Sequence, residues 1–158
     1  KIARNAIEEI SSIVSRVQEL LRIWGLDEAR QVSFDETTCD LRLMESPRTS
    51  YGKGKRAIFL TAYSVAVMEH ALQIESPHLG FVAIDSPVLT YRDPKYGNSG
   101  EVIDLTVADK FFDWMAGWRG PGQLIVLENE EPSDIVLSQI PHTLFVGPNG
   151  GGRRGFYP

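Results

Sequence analysis

Apolar residues recur early in the chain at Ala6, Ile10, Ile13, Val17, Leu20 and Trp24, spaced 4, 3, 4, 3 and 4, with Glu8, Glu9, Arg16, Glu19 and Arg22 on the other faces. This heptad seam predicts a helix that Gly25 ends. Such a seam serves either an amphipathic helix lying on a core or the stub of a coiled coil. Because the pattern is already running at Lys1, the coiled coil is the favoured reading. Beyond Gly25 the period falls to two. Gln31 to Asp35 and Thr38 to Met44 read as short strands, the second alternating through Leu41, Arg42 and Leu43, before Ser46-Pro47 breaks the pattern.

Residues 57–72 are apolar nearly all round, which predicts a helix buried between layers. Phe81 to Ile84 is a continuous apolar run of the kind found inside parallel sheets. A further helix over Val102 to Trp118 leads to a second buried strand, Leu124 to Leu127, and a third, Thr143 to Val146, follows the segment around Ile135 to Ile140. Strands alternating with helices predict an α/β fold with a mainly parallel sheet. No repeat or linker divides the chain, so it reads as a helix at 1–25, one lobe at 26–146 and a Gly/Arg-rich tail at 147–158.

Composition narrows the function classes. With 158 residues, 42% of them hydrophobic and 23% charged, the chain can bury a sizeable core. A net charge of −5 gives no global pull towards nucleic acid, so any DNA contact needs a local patch or segments elsewhere. The only cysteine, Cys39, makes neither an internal disulfide nor a thiolate cluster, and His70, His78 and His142 share no metal-ligand spacing. No signal peptide and no run of about 18 apolar residues appears, which makes a soluble protein of the reducing cytoplasm the expectation. Ser86 is outside any G-x-S-x-G elbow, and Trp114 and Trp118, with Phe111 and Met115 at helical spacing, read as core. Tyr91 to Gly100, rich in Pro, Gly and Asn, reads as an exposed loop.

Two segments carry chemistry. In Ser50-Tyr51-Gly52-Lys53-Gly54-Lys55-Arg56, the glycines let the backbone approach a ligand, the basic side chains add charge, and the helix behind supplies free N–H groups and its dipole. An anion is the natural guest; the alternative is a solvated basic loop. In Phe81-Val82-Ala83-Ile84-Asp85-Ser86-Pro87, Asp85 ends a buried strand, where open parallel sheets place their ligands, although Asp-Ser-Pro also starts turns.

Taken in order, Gly54-Lys55-Arg56-Ala57, Gly80-Phe81-Val82-Ala83-Ile84-Asp85-Ser86-Pro87 and Gln123-Leu124-Ile125-Val126-Leu127-Glu128-Asn129 resemble the C-terminal half of an SMC-like ABC ATPase. That family maintains chromosomes and repairs double-strand breaks, and the Tyr-Gly-Lys-Gly turn and Ser-Pro look most like bacterial coiled-coil ATPases of the repair or phage-defence kind. The resemblance implies the C-terminal lobe of an ABC-type head that uses ATP and Mg²⁺. Tyr51, Gly52, Lys53, Gly54 and Lys55 would occupy the signature loop, which binds the γ-phosphate held by the opposing unit. Asp85 would be the Walker B aspartate that orients Mg²⁺ through water, Pro87 to Tyr91 the D-loop, and Asn129 the switch position.

Several positions depart from the family pattern. Gly52 and Lys53 replace the signature serine and the following glycine, Ser86 stands where the family has its catalytic glutamate, and Asn129 replaces a histidine. Glu128 is the nearest replacement carboxylate, ahead of Glu130 and Glu131. The tail Gly147-Pro148-Asn149-Gly150-Gly151-Gly152-Arg153-Arg154 lacks the lysine and hydroxyl of a phosphate-binding P-loop. The resemblance therefore assigns that loop to an N-terminal Walker A lobe beyond a coiled coil. Its implied partners are that lobe, a second ATPase head in a homodimer, DNA, and a nuclease or effector subunit, with no membrane. Three readings follow: an ATP-hydrolysing head, a non-hydrolysing ATP-gated clamp, and an unrelated α/β binding module.

Overall fold

The computed structural model describes residues 2–88, 106–129 and 131–146. Helix α1 runs Ile2–Ile23. Its seam divides: Val17, Leu20 and Trp24 are fully buried, with Leu21 beside them, whereas Ala6 is exposed and Ile10 and Ile13 are half-buried. The second half of α1 thus lies on the core and the first half leaves it. Gly25 closes the helix at φ +82, with Leu26 N–H reaching back to Leu21 C=O at 2.9 Å. This is the Schellman ending that a glycine makes without strain.

A 3₁₀ turn, Asp27–Arg30, leads into a three-stranded antiparallel sheet of β1 (Val32–Asp35), β2 (Asp40–Leu43) and β3 (Ser46–Pro47). The pattern expected at Ser46-Pro47 was a break; instead these residues pair with Leu43 and Arg42. Met44 (φ 47) and Glu45 (φ 67) make the two-residue turn that permits it. Two left-handed residues match the twist of a hairpin, and an edge strand tolerates the proline.

After a 3₁₀ turn at Arg48–Ser50, helix α2 spans Lys53–Gln73. The basic residues form its first turn, as the glycine-flanked segment 52–56 implies, ahead of the apolar stretch from Ala57. It buries Ile58, Phe59, Thr61, Ala62, Val65, Ala66 and Met68, yet Leu60 is 46% exposed, so burial is not complete all round. Strand β4 (Phe81–Asp85) pairs in parallel with β5 (Gln123–Leu127), in register Phe81↔Gln123 through Asp85↔Leu127. Between them comes α3 (Thr106–Gly117), and α4 (Asp134–Leu137) follows β5.

The chain is therefore mixed α/β, but its larger described sheet is antiparallel and the parallel one has two strands. Val82, Ile84, Leu124 and Val126 face the core. On the other face Phe81, Ile125 and Leu127 are 42%, 38% and 39% exposed, so β4 and β5 are not buried on both faces as their apolar runs imply. No second layer among the described residues covers them. The expected strand Thr143 to Val146 is reduced to a single bridge at Phe145, with Leu144 60% exposed. Residues 89–91 of the expected D-loop, the loop up to Gly100, the start of the helix expected from Val102, Glu130 and the tail 147–158 lie outside the described residues.

Trp24 is the centre of the core, edge-on to Phe111 and Trp114 at 5.1 Å each. Gly122 (φ +84) brings β5 against β4 and α2; a Cβ there would meet Gly80 C=O at 2.7 Å and Met68 Sδ and Leu72 Cδ1 at 3.0 Å. A second tie is polar. Glu69 of α2 accepts two hydrogen bonds from Arg16 of α1, at 2.6 and 3.0 Å, and one from the Trp118 indole at 2.9 Å.

Candidate functional site

The sequence-proposed residues fall into two groups, one at each end of a short path through the molecule. The first is the start of α2. Gly52 is its N-cap and provides no side-chain cap, so the N–H groups of Lys53 and Gly54 are orphan donors of the first turn. Lys53 and Arg56 are exposed, and Gly54 is buried. Tyr51 turns inward: its hydroxyl donates to Leu43 C=O at 2.7 Å and its ring stands edge-on to Phe59 at 5.2 Å. Burial, with the charge of Glu28 adding to it, raises the Tyr51 pKa above its ordinary value. Its hydroxyl is therefore committed to holding the turn against β2. Lys55 forms an ion pair with Glu28 at 3.0 Å. Nothing in the local sequence marks Glu28 as a neighbour of the turn, because 27 positions separate it from Lys55 and only the tertiary fold joins them.

The second group lies at the C-terminal end of β4. Asp85 is the last residue of the strand and is exposed. Ser86 follows at φ +48, a left-handed conformation costing a non-glycine residue on the order of 1 kcal/mol, pinned by its N–H to Leu127 C=O at 2.7 Å. That geometry folds the Ser86 hydroxyl back onto Asp85 Oδ1 at 2.8 Å, while Asn129 Nδ2 approaches Ser86 Oγ at 3.5 Å. Glu128 accepts the backbone N–H of Asn129 at 2.9 Å and that of Val88 at 3.2 Å. With Val88 fully buried, Glu128 anchors the turn that carries the chain from β4 into the core.

This cluster brings together Asp85, Ser86, Glu128 and Asn129, and it does not include the start of α2. Helix α2 is about 30 Å long and β4 about 16 Å. The chain reverses between them, and Gly122 fixes the sheet's start beside Met68 and Leu72 near the end of α2. The two groups are held by different neighbours, the basic turn by Glu28 through Lys55 and the strand end by Leu127 and Asn129 through Ser86.

The donor sets suit different guests. A helix start with free N–H groups and flanking cations suits an anion. One exposed carboxylate suits Mg²⁺, which keeps several waters and needs few protein ligands. Among the described residues, no three His, Cys, Asp or Glu side chains gather to hold a metal by themselves. Among the same residues no helix is long and apolar enough to cross a membrane. No protein-family model matches the chain, and neither does any curated protein or solved structure.

Proposed function

We propose that this chain is the C-terminal lobe of an SMC-like ABC ATPase head that closes on a second head around ATP and Mg²⁺ and acts on DNA in repair or phage defence. The observation that carries the reading is the pair of half-sites on one chain: an uncapped basic helix start and an exposed carboxylate at the end of a parallel strand. Two such halves become useful when a second copy brings its helix start to the nucleotide held elsewhere. The parallel sheet, half-covered among the described residues, supports the same reading, since parallel strands ordinarily have both faces covered. An N-terminal Walker A lobe would cover this one. In that assembly Asp85 would orient the water shell of Mg²⁺, which neutralises phosphate charge when bound, and Lys53 with the free N–H groups would meet the opposing γ-phosphate.

One observation favours the non-hydrolysing clamp over the motor. A base must accept a proton from water, yet both Glu128 oxygens already accept backbone N–H groups and the Ser86 hydroxyl donates to Asp85. Metal and phosphate binding survive that arrangement, while each Glu128 oxygen keeps only one lone pair for water, so the backbone bonds hinder a base rather than assist it.

The test is ATP-dependent sedimentation of the complete head, with steady-state phosphate release alongside. The unmodified head should dimerise with ATP and the Lys53→Glu head should not, because the substitution reverses charge at the phosphate contact. Tight ATP binding by this chain alone, measured by calorimetry, would place the nucleotide elsewhere and favour an unrelated α/β binding module. Dimerisation without turnover would identify the clamp.

A further inference from the structure

We propose that the outer face of α2 is a self-complementary seam through which two copies of this chain pair, helix against helix and antiparallel, without nucleotide. The proposal does not rest on the functional reading above. Along that face Ala57, Leu60, Ser64, Val67, Ala71 and the C-cap Ile74 recur at spacings of 3, 4, 3, 4 and 3. This is a heptad, and it runs opposite the side that buries Ile58, Ala62 and Val65 in the core. Leu60 and Ile74 are 46% and 47% exposed and the other four are half-buried, so the seam is apolar but open.

The order of sizes along the seam selects its occupant. Small side chains, Ala57, Ser64 and Ala71, hold one heptad position, while Leu60, Val67 and Ile74 hold the other. A two-fold axis at the midpoint, between residues 65 and 66, sets Ala57 against Ile74, Leu60 against Ala71 and Ser64 against Val67 of the second copy. Every layer then joins one small and one large side chain, which fills the space between two helices without overlap or void. A parallel pair in register would set small against small and large against large.

Charge agrees with size. The same axis places Arg56 opposite Glu75 at both ends of the seam; both are exposed, and neither has an ion-pair partner among the described residues. Opposite charges at each end fix direction and register. Because both complements lie within one sequence, a second copy satisfies the seam as an isologous interface. The seam is about 26 Å long, and a single helix pair of that length belongs to the small class of interfaces, so the pairing is weak and depends on concentration. Lys53 lies beyond the last layer.

The experiment is sedimentation equilibrium of this chain without nucleotide, across a concentration series, with circular dichroism melting of each variant. The unmodified chain should show a monomer–dimer equilibrium. Leu60→Glu sets an unpaired charge in two layers and should raise the dissociation constant by about tenfold or more. Arg56→Glu and Glu75→Arg, each alone, set like charges at both ends and should raise it by about threefold or more with an unchanged melt. An equimolar mixture of these two variants should recover the original affinity as a mixed dimer, and so should the double variant. Rescue in trans is an outcome that a folding defect would not give, and it stands even if Leu60→Glu unfolds. A monomer at every concentration, association unmoved by Leu60→Glu as pairing through the bare face of β4 and β5 would give, or charge variants that mixing fails to rescue would each overturn the proposal.

Discussion

Replacing Glu128 by glutamine separates a base from an anchor. The carboxylate accepts two backbone N–H groups, from Asn129 at 2.9 Å and Val88 at 3.2 Å, and it is half-buried. Glutamine has one oxygen to offer, and its NH₂ would face the other donor. The change weakens one charge-assisted bond and sets two donors against each other, at a cost of about 1–2 kcal/mol. In a chain of this length that lowers the thermal midpoint by about 2–8 °C. Circular dichroism melting of this chain measures it directly. In the complete head, phosphate release by the same variant supplies the second reading. A base would lose turnover with an unchanged melt; an anchor loses stability whatever turnover does. An unchanged melting temperature would refute the anchoring role, and a strong fall in turnover with an unchanged melt would return Glu128 to the catalytic position that the sequence suggests.

Two further outcomes follow from the polar ties. In a double-mutant cycle of Arg16→Ala and Glu69→Gln followed by urea denaturation, the pair should couple by about 1–3 kcal/mol, because Arg16→Ala leaves a largely enclosed carboxylate with the Trp118 indole and no cation; additive effects would refute the coupling. Hydrogen bonds from Arg48, at 2.8 Å to each oxygen, hold Asp40 below the usual carboxylate range, with burial opposing them. A folded pKa below the unfolded one gives stability that is complete above about pH 4 and lost as pH falls through the folded value. Arg48→Ala should therefore lower stability at pH 7 and flatten its loss on acidification; an unchanged pH profile of the urea midpoint would refute this.

How much of this was legible in the sequence depends on the range of the interaction. The end of α1 could be read because Gly25 and the heptad act locally, and β4 and β5 could be read because their apolar runs are continuous. β3 could not: its turn uses Met44 and Glu45 in left-handed conformations, where a sequence reader looks for glycine or asparagine. The start of α2 was legible in the glycine-flanked basic turn, which opens the helix with Gly52 as N-cap and Gly54 as its buried second residue. The strand expected at Thr143 to Val146 has the composition of one, but a ladder needs a neighbour that composition does not supply. At the candidate site the positions of Asp85 and Lys53 were visible, while the partners that decide their chemistry were not. Glu28 reaches Lys55 and Glu128 reaches Val88 only through the tertiary fold.

The bare face of the β4–β5 pair also bears on handling the protein. Phe81, Ile125 and Leu127 present an oily strip on a sheet two strands wide among the described residues, and open strand edges are templates for pairing with any extended chain nearby. A lobe that covered that strip, as proposed above, would act as a folding companion as much as a functional partner. Produced alone at high concentration, the chain would then pair with its own copies and precipitate, while co-production with the proposed lobe would keep it in solution, so the choice of expression partner tests whether that lobe covers the strip.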